Sequence, residues 1–359
     1  MSRLLKLLHY AALAKKQGGK SYLRQGFEAL RLAQSPTRLG LAEYYEYEIF
    51  DDQFYPRHSK QRCVGWRASA DIDRALNHDH WRASANDKIL NYALLAHYGF
   101  PIPEAIATYS PARRRIGSEL LLDTPLAVQD FLRQPMHFPV FVKPINGSYG
   151  RGTYLLTAFD PQADRFSTPA EDVPLAEIVK ACQAPKRSGM LFQKRLQPHE
   201  AVRALIGPTT SCVRIIVART ATGPHLHMAF WKIARAHNIT DNFCMGETGN
   251  LLAAINKDTG AIQRVVTGLW PQGREVSHHP DTRQPFNGFI LPDWPLALDM
   301  CLSASHHFPG LRLQHWDIAF CEQGPVLMEL NTEADLGVPQ FLGRTPFVNE
   351  RITDILWNP

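Results

Sequence analysis

The sequence predicts a mixed α+β fold in which a helical N-terminal portion precedes strands paired as antiparallel hairpins. Three observations lead there. Apolar residues recur at helical spacing in much of the first 83 residues. Glycine-containing turns separate paired apolar runs at 138–156, 211–233 and 316–331. No Gly-rich strand-to-helix turn of the dinucleotide-binding kind occurs in the N-terminal region.

The chain has 359 residues, enough for two domains or one multi-lobed body with an ample core. A formal net charge of +5 is spread thinly, and only Arg113, Arg114 and Arg115 form a run. That pattern favours an anionic small ligand over a nucleic-acid surface. Six dispersed cysteines with no Cys-x-x-Cys pair suggest reduced thiols in a cytoplasmic protein. His225 with His227, and His278 with His279, lack the company a zinc site needs.

Taken in order, residues 3–34 and 37–50 read as helices broken near Ser35-Pro36, with an aromatic cluster from Tyr44 to Tyr55. Met1–Lys20 is leucine-rich, but Lys6, Lys15 and Lys16 interrupt it, so it has neither signal-peptide nor membrane-spanning length. A basic amphipathic helix can touch an anionic membrane surface or a partner, although packing on its own domain is the commoner use. A further helix runs to Gly99, capped by Ser84 or Asn86 with Asp87 in its first turn. Short strands are expected at 105–108, 140–143 and 153–156.

Lys143 closes an apolar strand and enters a loop containing Gly147, Gly150 and Gly152. A buried ammonium needs a counter-charge, and glycines let backbone N–H groups approach an anion closely. The spacing is not that of a Walker loop. Residues 189–200, a short apolar strand ending in polar residues, suit a hinge between two lobes, which places boundaries at 1–83, 84–190 and 191–359. Arg214 and Lys232 lie embedded in the next hairpin and again ask for an anion, with snorkelling to solvent as the ordinary alternative.

The last hairpin carries the densest polar chemistry. Glu329 and Asn331 share one side of a strand, and Asp317 sits on its partner between Trp316 and Ile318. One such carboxylate would ordinarily be a turn cap or a solvated edge residue; three oxygen ligands in matched strands favour a hard divalent cation such as Mg²⁺. There is a condition. Asp317 faces the other two only if an odd-length loop or a bulge sets the register.

Asp87-Lys88, Val142-Lys143-Pro144 with its Gly-Ser-x-Gly-x-Gly loop, Trp231-Lys232, Trp316-Asp317 and Glu329-Leu330-Asn331 together resemble the ATP-grasp superfamily in order and spacing. Gln193 through His199, Val213-Arg214, Asp241-Asn242-Phe243 and Asp317 through Glu329 are most similar to its sugar-transfer-associated branch, with the resemblance covering roughly residues 40–345. It implies two α+β lobes with antiparallel sheets gripping ATP. Lys88 and Lys143 would hold the α- and β-phosphates, and the loop Gly147, Ser148, Gly150, Gly152 would close over the triphosphate. Gln193, where many members carry a glutamate, would lie near the adenine amino group, with His199 or Glu200 near the ribose. Arg214 and Lys232 would face the γ-phosphate, while Asp317, Glu329 and Asn331 would bind one or two Mg²⁺ ions. His315 stands where an arginine often serves the reacting centre, a role that would pass to Arg214 or Arg235.

The activity so implied is ADP-forming ligation of a small carboxylate to an amine through an acyl phosphate, with polysaccharide or sugar-conjugate synthesis as its setting. No Ser-His-Asp or Cys-His arrangement competes with it. A kinase acting on a sugar hydroxyl and a nucleotide-binding regulator without turnover are the alternatives. Intact metal ligands argue against the regulator.

Overall fold

The computed structural model describes residues 2–147, 150–184 and 188–357. Two antiparallel-based sheets dominate it. The first has five strands in the order Leu120–Leu122, Ala105–Tyr109, Met190–Lys194, Val140–Pro144, Tyr154–Leu156. The second has six, in the order Ile262–Val266, Leu251–Ile255, Gly223–Ile233, Cys212–Thr220, Leu313–Cys321, Gly324–Asn331. Strand Met190–Lys194 is central to the first sheet, so the expected boundary at 190/191 cuts through it and the lobe extends to Lys194. The hydrophobic signal is the same for a strand that enters a hinge and one that ends a sheet; pairing with Val140–Pro144 on one side and Ala105–Tyr109 on the other decides.

Strand alternation splits the six-stranded sheet into two faces. Val213, Ile215, Val217, Trp231, Trp316 and Ile318 turn towards the long helix Trp294–Ser305. Ile216, Ala218, Phe230, Leu252, Ala254 and Leu313 turn the other way, against Tyr10, Leu32, Tyr44, Tyr47 and Phe50 of the helical N-terminal portion. That portion is therefore a layer on the sheet, and Phe341, Phe347 and Ile352 near the C-terminus complete the same core.

Local chemistry corrects three boundaries. The expected helix over 3–34 breaks into Arg3–Gly18 and Tyr22–Ala33, because Gly19 takes φ +67 and closes the first while the Ser21 hydroxyl caps the second. Between 37 and 50 only Glu43–Glu46 is helical, since Glu48 adopts φ +58 and the Glu43 carboxylate instead ties down the backbone of Gly40 and Trp66 at 2.6 and 2.7 Å. The helix Lys88–His97 is capped by neither Ser84 nor Asn86 but by Asp87, whose carboxylate accepts from the Leu90 amide at 3.1 Å and pairs with Arg114 at 2.8 Å.

Asn77 ties the N-terminal layer to the site hairpin. Its amide donates to the carbonyls of Leu313 and Thr332 at 2.8 and 3.0 Å and accepts from the Leu313 amide at 3.1 Å, all in the interior. Asn77→Ala strands these buried groups and should cost about 3 kcal/mol of stability, read from urea unfolding; an unchanged midpoint would show that the three bonds do not join the layers.

Candidate functional site between the two lobes

The hairpin Leu313–Asn331 meets the register condition through a bulge. Its turn holds two residues, and near it Ile318 pairs with Leu327, yet Asp317 pairs with Glu329, so Met328 is the extra residue. The slip brings Asp317, Glu329 and Asn331 onto one face. A bulge frees a carbonyl, and the Tyr92 hydroxyl donates to that of Met328 at 2.6 Å. Lys143 Nζ donates in turn to the Tyr92 oxygen at 2.8 Å. Helix Lys88–His97 and strand Val140–Pro144 are thereby docked on the bulge.

Arg214 and Lys232 project from the same sheet face, one strand and two strands away. Arg214 grips Asp317 with both ends of its fork, Nε to Oδ1 at 2.8 Å and NH2 to Oδ2 at 2.6 Å. Lys232 bridges Asp317 at 3.1 Å and Asp241 at 3.4 Å. Burial pushes the Asp317 carboxyl up, but the charges of Arg214 and Lys232 outweigh it and hold the group well below the usual range. Burial likewise opposes the charge on Lys232, and Asp241 and Asp317 more than restore it. From the other lobe Lys88 reaches Glu329 at 3.1 Å and the Gly147 carbonyl at 3.2 Å.

Lys143 differs from the rest. It is 8% exposed and, among the described residues, has no carboxylate within ion-pair distance. Burial lowers its pKa, and Glu329 opposes this only from a distance. The cluster thus holds four cations, Lys88, Lys143, Arg214 and Lys232, against the three carboxylates Asp317, Glu329 and Asp241. Its surplus is positive, and a multiply charged anion suits it.

The glycine loop leans over this cluster from the first lobe. Gly150 and Gly152 take φ +65 and +70, and a Cβ on Gly150 would stand 2.8 Å from Asn242 Nδ2 and 2.9 Å from Thr240. Only glycine permits that approach to the Thr240–Asn242 loop of the second lobe. Gly147 contributes its carbonyl, without positive φ; Ser148 lies outside the described residues.

Beside the cluster a cleft of about 120 Å³ opens between the lobes. Pro103, Phe141, Leu155 and Gln193 line it from one side, Ile239 and Met328 from the other. Gln193 is buried there, its amide donating weakly to the Pro103 carbonyl at 3.4 Å. Its walls are mostly apolar, with Gln193, Asn238, Lys194 and Arg195 among the polar groups, a lining that suits a flat heteroaromatic ring with polar edges.

Three expected residues, Arg235, His199 and Glu200, lie elsewhere. Arg235 is clamped on Asp281, Nε at 2.9 Å and NH2 at 2.7 Å, so its charge is spent away from the cluster. His199 caps the helix Glu200–Ile206 by accepting from the Ala201 amide at 3.1 Å, and neither it nor the exposed Glu200 lines the cleft. His315 is fully buried against Asp73 at 2.9 Å on the side of the N-terminal layer. One participant escapes motif reading: Tyr92 looks like an ordinary core aromatic of a helix. Asp241, which the sequence marks only as part of a motif, gains a role, accepting from the Cys212 amide at 2.7 Å while balancing Lys232.

The donor set fits a hard divalent cation. Asp317 and Glu329 are cross-strand partners, and Asn331 Nδ2 points to Asp317 at 3.5 Å, which leaves its Oδ1 as a third oxygen.

Residues 67–353 match the family described as sugar-transfer associated ATP-grasp, which is more than half of the chain. The chain belongs to the sugar-transfer associated ATP-grasp family. Its two-lobed architecture is the ATP-grasp fold. No curated protein matches this ATP-grasp chain in sequence. Among solved structures, it is similar to the ATP-grasp ligase PsnB complexed with a minimal precursor, at 18% identity and TM-score 0.39 over 78% of this chain and 62% of that one. It is also similar to N5-carboxyaminoimidazole synthase from Aspergillus clavatus, at 12% and 0.43 over 83% and 59%, and to D-alanyl-alanine synthetase A from Vibrio cholerae O1 biovar eltor, at 12% and 0.45 over 79% and 68%. The chain spans about three-fifths of the length of the first two.

The Arg235–Asp281 pair has its own pH signature. Its hydrogen bonds from Arg235, above all, hold the Asp281 carboxyl down at about 2, against an ordinary 3.8. A depressed carboxylate stabilises the fold above its unfolded pKa and loses that contribution as pH falls through the folded one. The stability gap between wild type and Asp281→Asn should therefore be constant above that ordinary value and narrow on further acidification; a gap that stays constant would place Arg235 elsewhere.

Proposed function

We propose that this protein is an ATP- and Mg²⁺-dependent ligase that joins a small carboxylate to an amine. The observation that carries the reading is Lys143, a buried ammonium without a carboxylate partner among the described residues, beneath a glycine loop and beside an apolar cleft. An anion placed there repays the desolvation that opposes its charge.

In this reading the base lies in the cleft with Gln193, and Lys88 and Lys143 hold the α- and β-phosphates under the glycine loop. Arg214 and Lys232, on the second-lobe sheet, face the γ-phosphate. Asp317, Glu329 and Asn331 hold Mg²⁺, which when bound neutralises phosphate charge. A carboxylate oxygen attacks the γ-phosphorus and ADP leaves. The amine nitrogen then attacks the acyl carbon, phosphate departs with the bonding electrons, and the nitrogen loses a proton. No side-chain nucleophile is needed. The protein positions the reactants and supplies charge, and for that the Arg214–Asp317–Lys232 triad is already locked in place.

None of the six cysteines forms a disulfide and five are buried, which supports a cytoplasmic setting. The family's association supports sugar-conjugate synthesis as the context.

With a carboxylate and an amine supplied, the protein should release ADP and phosphate, and ¹⁸O from labelled carboxylate should appear in the phosphate. Release of AMP and pyrophosphate, or of ADP with label-free phosphate, would overturn the acyl-phosphate route, and ADP release with a phosphorylated hydroxyl would make the enzyme a kinase. Lys143→Ala and Glu329→Ala should each lower turnover by about a hundredfold or more while leaving circular dichroism unchanged. Near-normal turnover in either, with the fold intact, would remove the site from where it is placed.

A further inference from the structure

The helical hairpin Arg3–Gly18 and Tyr22–Ala33 is folded with its apolar side outward. In the second helix the buried positions include Gln25, with Ala29 and Leu32. Leu23 and Phe27 stand 80% and 77% exposed, with Leu30 beside them one turn on. The first helix repeats the pattern with Leu4, Leu5 and Leu8 exposed along one face and Tyr10 and Ala14 buried on the other.

The polar residues turned inward are satisfied there. Gln25 donates to the carbonyls of Lys20 and Ala11 and accepts from the Tyr45 hydroxyl. Glu28 binds Lys20, Lys60 and the Tyr44 hydroxyl at 2.6 to 2.8 Å. Reversing the helix would break these bonds, so the outward leucines follow from a specific interior. A helix of this kind normally buries its apolar stripe. Here the stripe is left for something outside the chain.

Charge indicates what that is. No Asp or Glu occurs before Glu28, which faces inward, whereas Lys15, Lys16 and Arg31 are exposed and Arg24 lies at the rim, paired with Asp52. Lys15 lies over the Tyr22 ring at 4.7 Å, its stem along the apolar surface. A second copy of the chain would bring cations against cations. An anionic lipid surface meets both requirements, taking leucine and phenylalanine among its acyl chains and lysine and arginine among its headgroups.

The geometry points to a membrane-interfacial function for this hairpin: Leu4, Leu8, Leu23, Phe27 and Leu30 enter an anionic bilayer surface while Lys15, Lys16 and Arg31 hold the headgroups. No helix of the described residues is long and apolar enough to cross a membrane, so the contact is peripheral. The inference stands independently of the ligase reading.

The full-length protein should co-sediment with vesicles of phosphatidylcholine containing about one part in four phosphatidylglycerol, and at least tenfold less with pure phosphatidylcholine or in high salt. Leu23→Gln/Phe27→Gln should lower binding by about tenfold or more, and the solvent-facing double change Lys15→Glu/Lys16→Glu should do the same without touching the core. Both should keep the wild-type melting temperature. Equal binding to neutral and anionic vesicles, or undiminished binding by folded variants, overturns the proposal. So does a wild-type dimer in size-exclusion chromatography that either pair of changes converts to a monomer, since the face would then be a contact between copies.

Discussion

The placement of one extra residue, Met328, decides which way Glu329 and Asn331 point. Asp317 is already fixed by its pairing with Arg214 in an unbroken ladder, which sets it on the face of Arg214 and Lys232. Without the bulge the two-residue turn would put Glu329 and Asn331 on the opposite face; with it, Glu329 stands across from Asp317. A bulge costs a ladder hydrogen bond, and the Tyr92 hydroxyl takes up the carbonyl so released. Because Tyr92 also receives the Lys143 ammonium, the feature that aims the acids also sets the position of a cation from the opposite lobe.

The electrostatics follow from that placement. A carboxylate as deeply buried as Asp317 is tolerable only because two cations are bound to it, and those cations are tolerable for the same reason. Each charge of the triad is paired within it, whereas Lys143 has no carboxylate within ion-pair distance among the described residues. The glycine loop lies beside that lysine, with Gly150 at φ +65 and so close to the Thr240 and Asn242 side chains that a Cβ there would have to displace them.

The N-terminal layer gives the site its surroundings. It covers the sheet face from which Arg214, Lys232, Asp317 and Glu329 project, and the Asp73–His315 pair lies where the two meet. The same layer bears the outward apolar stripe.

Sequence alone determined the hairpins, the glycine loop and the helical start, and it singled out Lys143, Arg214, Lys232, Asp317, Glu329 and Asn331 as candidates, because these depend on local periodicity, turn chemistry and the cost of isolated charge in apolar strands; Lys88 was singled out only by the family resemblance. It even stated the register condition. Tertiary structure decided whether the condition was met, since a bulge is specified by a carbonyl's distant partner, here a tyrosine 236 positions away in the chain. It also placed Arg235 and His199 elsewhere, each on a partner that no spacing rule announces: Asp281 and the Ala201 amide. The inverted helix was hidden for the same reason. Periodicity gives an amphipathic helix two faces, and only Gln25 and Glu28 finding buried partners in other segments decides which face turns inward.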